Sequence, residues 1–330
     1  MRIKVAGSAG FCWGVKRSLR MLDEVQGDGK RTVSLGALVY NGPVLMQLQE
    51  RGIPIVERPD QASEGTRAVL RPHGASDEDR KALAARKVEV LDLTCPHVAA
   101  TRAAMRELAS KGLNMVVAGN REHDEIRFLV EGLSVKSWIV GTGDEARTVA
   151  AEPPFALVCQ STLGHAIFED IEEGLRERFP ELQVVHSRCG ATEERQDEAL
   201  ALAAESDVLV IVGPYHSGNA RRLAEMGRET GKQTFHVETP EDIPVGSLME
   251  QARLSRRQAL MERYAADPEQ LRSATSDPAA LDREVVIGIT AGASTPPWAL
   301  KAVVDHLVAS TRAELHQGLP KDLAAAGGEA

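Results

Sequence analysis

Hydrophobic and polar positions along the chain alternate between short apolar runs and longer stretches in which apolar residues recur at helical spacing. Runs such as VLVIV at 208–212 and FALVC at 155–159 are apolar without interruption, the pattern of strands covered on both faces. Strands are predicted at 3–6, 32–35, 68–71, 88–93, 115–118, 156–159, 184–186, 208–212 and 285–289, with helices at 98–111, 166–179, 199–205 and 219–229. Strands that alternate with helices pair in parallel and carry the helices on the sheet faces. The fold class is α/β.

The chain also repeats itself. Cys12, Cys95 and Cys189 each follow a small or polar turn and precede a helical stretch, a strand and a polar loop. That loop holds Tyr40 in the first segment and His123 in the second, each 28 residues past its cysteine, and His216 in the third, 27 residues past. Each segment closes on a strand that runs into a small polar turn: RPHG at 71–74, CQSTLG at 159–164 and TAGAST at 290–295. Three matches in register imply three small α/β units with mainly parallel sheets, set as a pseudo-threefold trefoil with one cysteine from each unit at the axis. The expected units are 13–95, 96–189 and 190–330, with residues 1–12 joining the third. Residues 250–283 are rich in Arg and Glu with two Asp-Pro steps; they read as an insertion made of a helical excursion and then a loop. Residues 319–330 read as a flexible tail.

Composition narrows the class. With 330 residues, 43% hydrophobic and 26% charged, the chain is neither disordered nor collagen-like. The net charge is −9 and no block of Lys and Arg stands out, which argues against nucleic acid as a partner. No apolar run approaches the ~20 residues of a membrane span, so no membrane partner is expected. The opening MRIKVAGSAGFCWG reads as a strand entering a glycine loop, with no room for a signal peptide. Four cysteines are too sparse for a secreted disulfide framework. The expected location is cytoplasmic.

Each cysteine then needs its own account. Cys159 lies inside the apolar run FALVC and reads as a packing residue. Cys12, Cys95 and Cys189 sit where a turn meets a helix start, which lowers a thiol pKa and favours metal binding. Structural zinc usually takes closely spaced Cys or His pairs, and this chain has none. A third reading is an iron–sulfur cluster with one cysteine from each unit. A cubane usually takes four thiolates, so three would leave one iron open to substrate.

GFCWGVKRSL at 10–19, DLTCPHV at 92–98, HDEI at 123–126, QSTL at 160–163, CGATEERQ at 189–196, SGNARRLAE at 217–225 and TAGAS at 290–294 occur in this order. Together they resemble the 4-hydroxy-3-methylbut-2-enyl diphosphate reductase family (IspH, also called LytB), from Cys12 to Ser294. The resemblance implies a trefoil around a central [4Fe–4S] cluster with an open apical iron, held by Cys12, Cys95 and Cys189. It implies reductive removal of an allylic hydroxyl from a branched five-carbon diphosphate, giving isopentenyl and dimethylallyl diphosphate, in isoprenoid biosynthesis by the methylerythritol phosphate pathway. Glu125 falls at the family's proton-delivering glutamate. His73 and His123 match positions that contact the diphosphate, as do Ser217, Asn219 and Ser294. Ser161 and Thr162 match the hydroxyl pair near the substrate alcohol, and Thr192 lines the same cavity. Taken singly, Glu125 would read as a helix first-turn acid, each histidine as a structural hydrogen-bonding residue, and each Ser or Thr as a helix cap.

Three features depart from the family. VYN at 39–41 puts Tyr40 where the family generally has His, the family's Ser-Ser-Asn is Ser-Gly-Asn at 217–219, and residues 250–283 are inserted. In addition, HDEI stands where the family usually has HPEV. The cluster and acid are kept while the substrate end is altered. Besides the reductase itself, two readings stand: a paralogue running the same cluster chemistry on another substrate, and a non-enzymatic iron–sulfur redox sensor, against which the retention of Glu125 argues. No G-x-G-x-x-G follows a strand, so the expected electron donor is a ferredoxin or flavodoxin-type partner.

Overall fold

The computed structural model describes residues 1–275 and 278–315; the expected tail at 319–330 lies outside the described residues. Among these the strands are β1 (Arg2–Val5), β2 (Thr32–Leu35), β3 (Ile55–Val56), β4 (Arg67–Leu70), β5 (Glu89–Asp92), β6 (Asn114–Ala118), β7 (Ser137–Val140), β8 (Phe155–Cys159), β9 (Gln183–Val184), β10 (Val208–Val212), β11 (Thr234–Val237), β12 (Val286–Ala291) and β13 (Glu314–Leu315). The chain divides into two compact units.

The unit Trp13–Glu193 contains two four-stranded sheets, in the orders β3-β2-β4-β5 and β7-β6-β8-β9. The other unit, Met1–Cys12 with the residues from Glu194 onward, contains one five-stranded sheet, β11-β10-β12-β1-β13. Every strand pair is parallel. The α/β class is thus observed, and one strand order recurs three times. In the third sheet the place of β5 and β9 is taken by β1, from the far end of the chain.

The inner strands carry the core. Ala68, Val69 and Leu70 of β4, Leu157 and Val158 of β8, and all of β10 are fully buried, as expected for strands covered by helices on both faces. The strands that the hydrophobic pattern does not predict are β3, β7, β11 and β13, all at sheet edges. They are two to four residues long and partly buried or, in β13, exposed, so their apolar signal is short or mixed with polar residues.

Two predicted segments change. The helix expected at 199–205 spans Gly190–Glu205 and starts directly after Cys189. Its inward face is Thr192, Arg195, Gln196 and Ala199, at helical spacing but mostly polar, so no hydrophobic periodicity announced it. The 250–283 segment is not a helix followed by a loop. It contributes to Val245–Arg263 and to the short helices Pro268–Thr275 and Pro278–Glu284, because the proline of each Asp-Pro step opens a new helix rather than a loop. Arg256 pairs with the buried Asp207 at 2.9 Å, and Arg253 with Asp282 at 2.6 Å. No helix among the described residues is long and apolar enough to cross a membrane.

Candidate functional site

The sheet repeat sets the cysteines. The residue two positions beyond the last residue of β4, β8 and β12 accepts a hydrogen bond from a cysteine N–H: Cys95 to Pro72 O at 2.9 Å, Cys189 to Ser161 O at 2.9 Å and Cys12 to Ala293 O at 3.2 Å. Each of these cysteines is partly exposed and immediately precedes a helix, Trp13–Val25, Pro96–Ser110 or Gly190–Glu205. Cys159 differs. It is fully buried in β8, burial pushes its thiol up to about 11, and Ser187 Oγ lies 3.4 Å from its sulfur. A thiol held protonated in this way is a packing residue, not a ligand.

A second repeat lies at the other strand ends. Gly36, Gly119 and Gly213 follow β2, β6 and β10 with positive φ and donate to the last carbonyls of β3, β7 and β11. A Cβ there would meet Arg71, Gln160 or Thr295 within 3 Å, so glycine lets these loops lie against the neighbouring strand end. The residues that cap the helices beyond are Asn41, His123 and Ser217, each accepting a backbone N–H. This register corrects the sequence alignment by one residue: Tyr40 and His216 each precede the cap, and His123 is the cap itself.

Glu125 lies within this framework. It is 2% exposed, and Ser161 binds both of its oxygens, N–H to Oε1 and Oγ to Oε2, each at 2.7 Å. Burial pushes its carboxyl above the usual range, against the two Ser161 bonds and the nearby His97, which oppose the rise. A carboxyl so placed holds its proton more tightly than a surface acid. The same Ser161 accepts the Cys189 N–H through its carbonyl, so one residue ties acid and thiol together. His97 Nε2 lies 2.7 Å from Ser187 O. Thr162 Oγ1 accepts from Gln160 Nε2 at 3.0 Å, and Thr192, also buried, donates its N–H to Cys189 O at 2.8 Å.

Three rings form a polar face beside it. The centroids of Tyr40, His73 and His123 are 5.0, 5.6 and 6.0 Å apart. Burial brings the His73 imidazole down to about 3 and lowers that of His123. Both are therefore neutral near pH ~7 and act as hydrogen-bonding groups rather than cations. His73 Nδ1 is enclosed and has no partner among the described residues. The Tyr40 hydroxyl donates to Asp124 Oδ2, and Arg71 Nη1 donates to the same oxygen at 2.7 Å. Burial works against ionisation of Asp124, but Tyr40, Arg71 and the two imidazoles together hold its carboxyl below the usual range.

The unit with β10 and β12 brings together the remaining residues. Ser294 Oγ is 3.3 Å from Ser217 Oγ, and Asn219 Oδ1 accepts the Ala293 N–H at 3.2 Å. Gly218 has open space where a Cβ would stand, so the absent hydroxyl there is not a steric necessity. Gln196 is 2% exposed, and neither end of its amide has a partner among the described residues. Sequence pattern alone does not single out Gln196, Arg71 or Asp124. Their signals were weak: a polar face on a helix, and two charged residues beside motif positions.

The LytB protein family matches residues 3–308. A 4-hydroxy-3-methylbut-2-enyl diphosphate reductase of Geotalea daltonii is 30% identical over 93% of this chain and 97% of its own. Among solved structures, an (E)-4-hydroxy-3-methylbut-2-enyl diphosphate reductase, described as the terminal enzyme of the non-mevalonate pathway, is 26% identical. It superposes with a TM-score of 0.63 over 93% of this chain and 98% of that one. The E-1-hydroxy-2-methyl-but-2-enyl-4-diphosphate reductase of Plasmodium falciparum is 20% identical and shares the fold, with a TM-score of 0.78 over 97% of this chain and 94% of that one.

Proposed function

The chain belongs to the LytB family, and from that premise we propose that it is an iron–sulfur reductase. Its substrate is (E)-4-hydroxy-3-methylbut-2-enyl diphosphate and its products are isopentenyl and dimethylallyl diphosphate. Two electrons and two protons enter, the allylic C–O bond breaks, and water leaves. The observation that carries the reading is Ser161, which holds the buried Glu125 with its N–H and hydroxyl and receives the Cys189 N–H on its carbonyl.

The donor set fits a [4Fe–4S] cluster on Cys12, Cys95 and Cys189: three partly exposed thiols, each directly before a helix. Among the described residues no three His, Cys, Asp or Glu side chains are arranged around a single metal ion; in a cubane each thiolate meets its own iron. When bound, the cluster supplies the electrons and an open iron as a Lewis acid. Glu125, whose proton burial holds more tightly, gives that proton to the departing oxygen. Ser161 keeps that carboxyl in one orientation, and Thr162 and Thr192 line the same cavity. Tyr40, His73, His123, Ser217, Asn219 and Ser294 are the groups assigned to the diphosphate, neutral donors in the main. The same strand order in all three sheets supports three α/β units, 13–95, 96–189 and 190–330 with 1–12. Electrons come from a ferredoxin or flavodoxin-type donor in the cytoplasm.

The test is anaerobic reconstitution of the cluster, followed by turnover with the hydroxylated diphosphate and, in parallel, with its non-phosphorylated alcohol. Turnover of the diphosphate with little of the alcohol is expected. A reconstituted protein that reduces neither would overturn the assignment.

A further inference from the structure

The Tyr40 hydroxyl and Arg71 converge on a single oxygen of Asp124, beside the two neutral imidazoles. Tyr40 and Asp124 are also two positions where this chain departs from its family's usual residues, and the structure shows them bonded to each other. The hydroxyl gained at 40 has its acceptor at 124, and the charge gained at 124 has its counter-ion at 71. The side chains of Arg71 and Asp124 are 25% and 19% exposed, so neither is fully solvated. Both line a cleft of about 280 Å³ with Arg127, Asp79, Glu131 and Ser76; its formal charge is two cations against three acids.

We propose that Asp124 selects ligands by charge: by taking up Arg71, it tunes the face of Tyr40, His73 and His123 to phosphate groups of low negative charge. This deepens the functional reading above and rests on it for the organic part of the ligand. A carboxylate ~6 Å from a bound phosphate, at an effective dielectric close to that of water, weakens binding by roughly 3-fold for each ligand charge. A diphosphate therefore loses more than a monophosphate. Tyr40 carries no charge, and its role is positional: Asp124 holds its ring against the two imidazoles.

The experiment measures binding to the reconstituted holoenzyme by calorimetry, with isopentenyl diphosphate and isopentenyl monophosphate, and with inorganic diphosphate and phosphate as probes free of the organic part. Asp124→Asn keeps an oxygen for both Tyr40 and Arg71 while removing the charge. It is expected to tighten the diphosphates by roughly 10-fold and to raise the diphosphate-to-monophosphate preference several-fold, less at high salt. Tyr40→Phe leaves the charge in place and is expected to leave that preference unchanged. A purely structural Asp124 gives weaker binding of all four ligands in Asp124→Asn, with no change in preference, and that result overturns the proposal. Normal charge selection among the inorganic probes with no binding of the isopentenyl pair overturns the five-carbon reading instead. Wild-type protein that binds none of the four overturns both.

Discussion

Replacing Glu125 by Gln separates proton delivery from architecture. Glu125 receives two 2.7 Å hydrogen bonds from Ser161. In the Gln variant the side-chain oxygen still accepts the Ser161 N–H, and the amide donates to a hydroxyl that can rotate to accept it. The fold therefore stays intact while the proton is lost. Turnover is expected to fall roughly 10²–10⁴-fold, the range for a missing general acid, or about 3–5 kcal/mol of barrier. Glu125→Ala behaves differently. It strands a buried N–H and a buried hydroxyl at roughly 1–3 kcal/mol each, so it loses stability as well as activity. Linkage supplies a second readout. A folded pKa raised above the unfolded one favours the fold at low pH, and that contribution is lost as pH rises through the folded value. Gln has no such loss, so its Tm relative to wild type rises from a pH at the ordinary carboxylate value to one well above it. The assays are single-substrate turnover of the reconstituted enzyme and thermal unfolding at both pH values. Wild-type turnover in Glu125→Gln would refute the acid assignment, and a Tm difference independent of pH would refute the burial argument.

Replacing Cys12, Cys95 or Cys189 by Ser should each remove the cluster absorbance near ~400 nm, whereas Cys159→Ser should retain it; loss in the Cys159 variant alone contradicts the ligand set. Gly74→Ala should destabilise the turn after His73, because φ is +93° and the new Cβ would stand 2.4 Å from the Phe128 ring. Overpacking and strain together cost roughly 2–4 kcal/mol, and an unchanged midpoint in guanidinium unfolding would count against that packing. His73, held at about 3 against 6.5 in the unfolded chain, contributes stability above pH 6.5 that is lost as pH falls towards 3. His73→Gln should therefore flatten the fall in Tm on acidification, and parallel curves for the two proteins would exclude it.

What the sequence reveals follows where the energy is concentrated. The inner strands announce themselves because a strand covered on both faces must be apolar throughout, as VLVIV at 208–212 is. Edge strands such as β7, with Ser137 exposed and Trp138 half-buried, bury too little to leave a clear signature. The helix at Gly190–Glu205 began nine residues earlier than its apolar pattern, because Thr192, Arg195 and Gln196 fill its buried face. At the candidate site the cysteines were legible from their repeat alone. Glu125 needed the family resemblance, since an acid in a helix's first turn is ordinary. Asp124 and Arg71 stayed hidden because their meaning lies in a contact between residues 53 apart in sequence. The signal that could have found them is the pairing of two departures, VYN and HDEI, each adding a group that needs a partner.

The position of β1 carries a consequence for how the protein is made. Arg2 pairs with Val286, and Met1 O accepts the Glu314 N–H, so β1 leaves the ribosome well before the strands it pairs with. Until β12 emerges, Ile3 and Val5 are apolar residues without a sheet, while both sheets of Trp13–Glu193 can already close. The thiol at Cys12 is in the same position, since its N–H finds Ala293 only when that sheet forms. Non-local closure of this kind is slow and leaves a strand open to stray pairing. On the proposed ligand set, loading of all three thiols is therefore a late event in synthesis, and truncation near the C-terminal strands would disable Cys12 rather than Cys189.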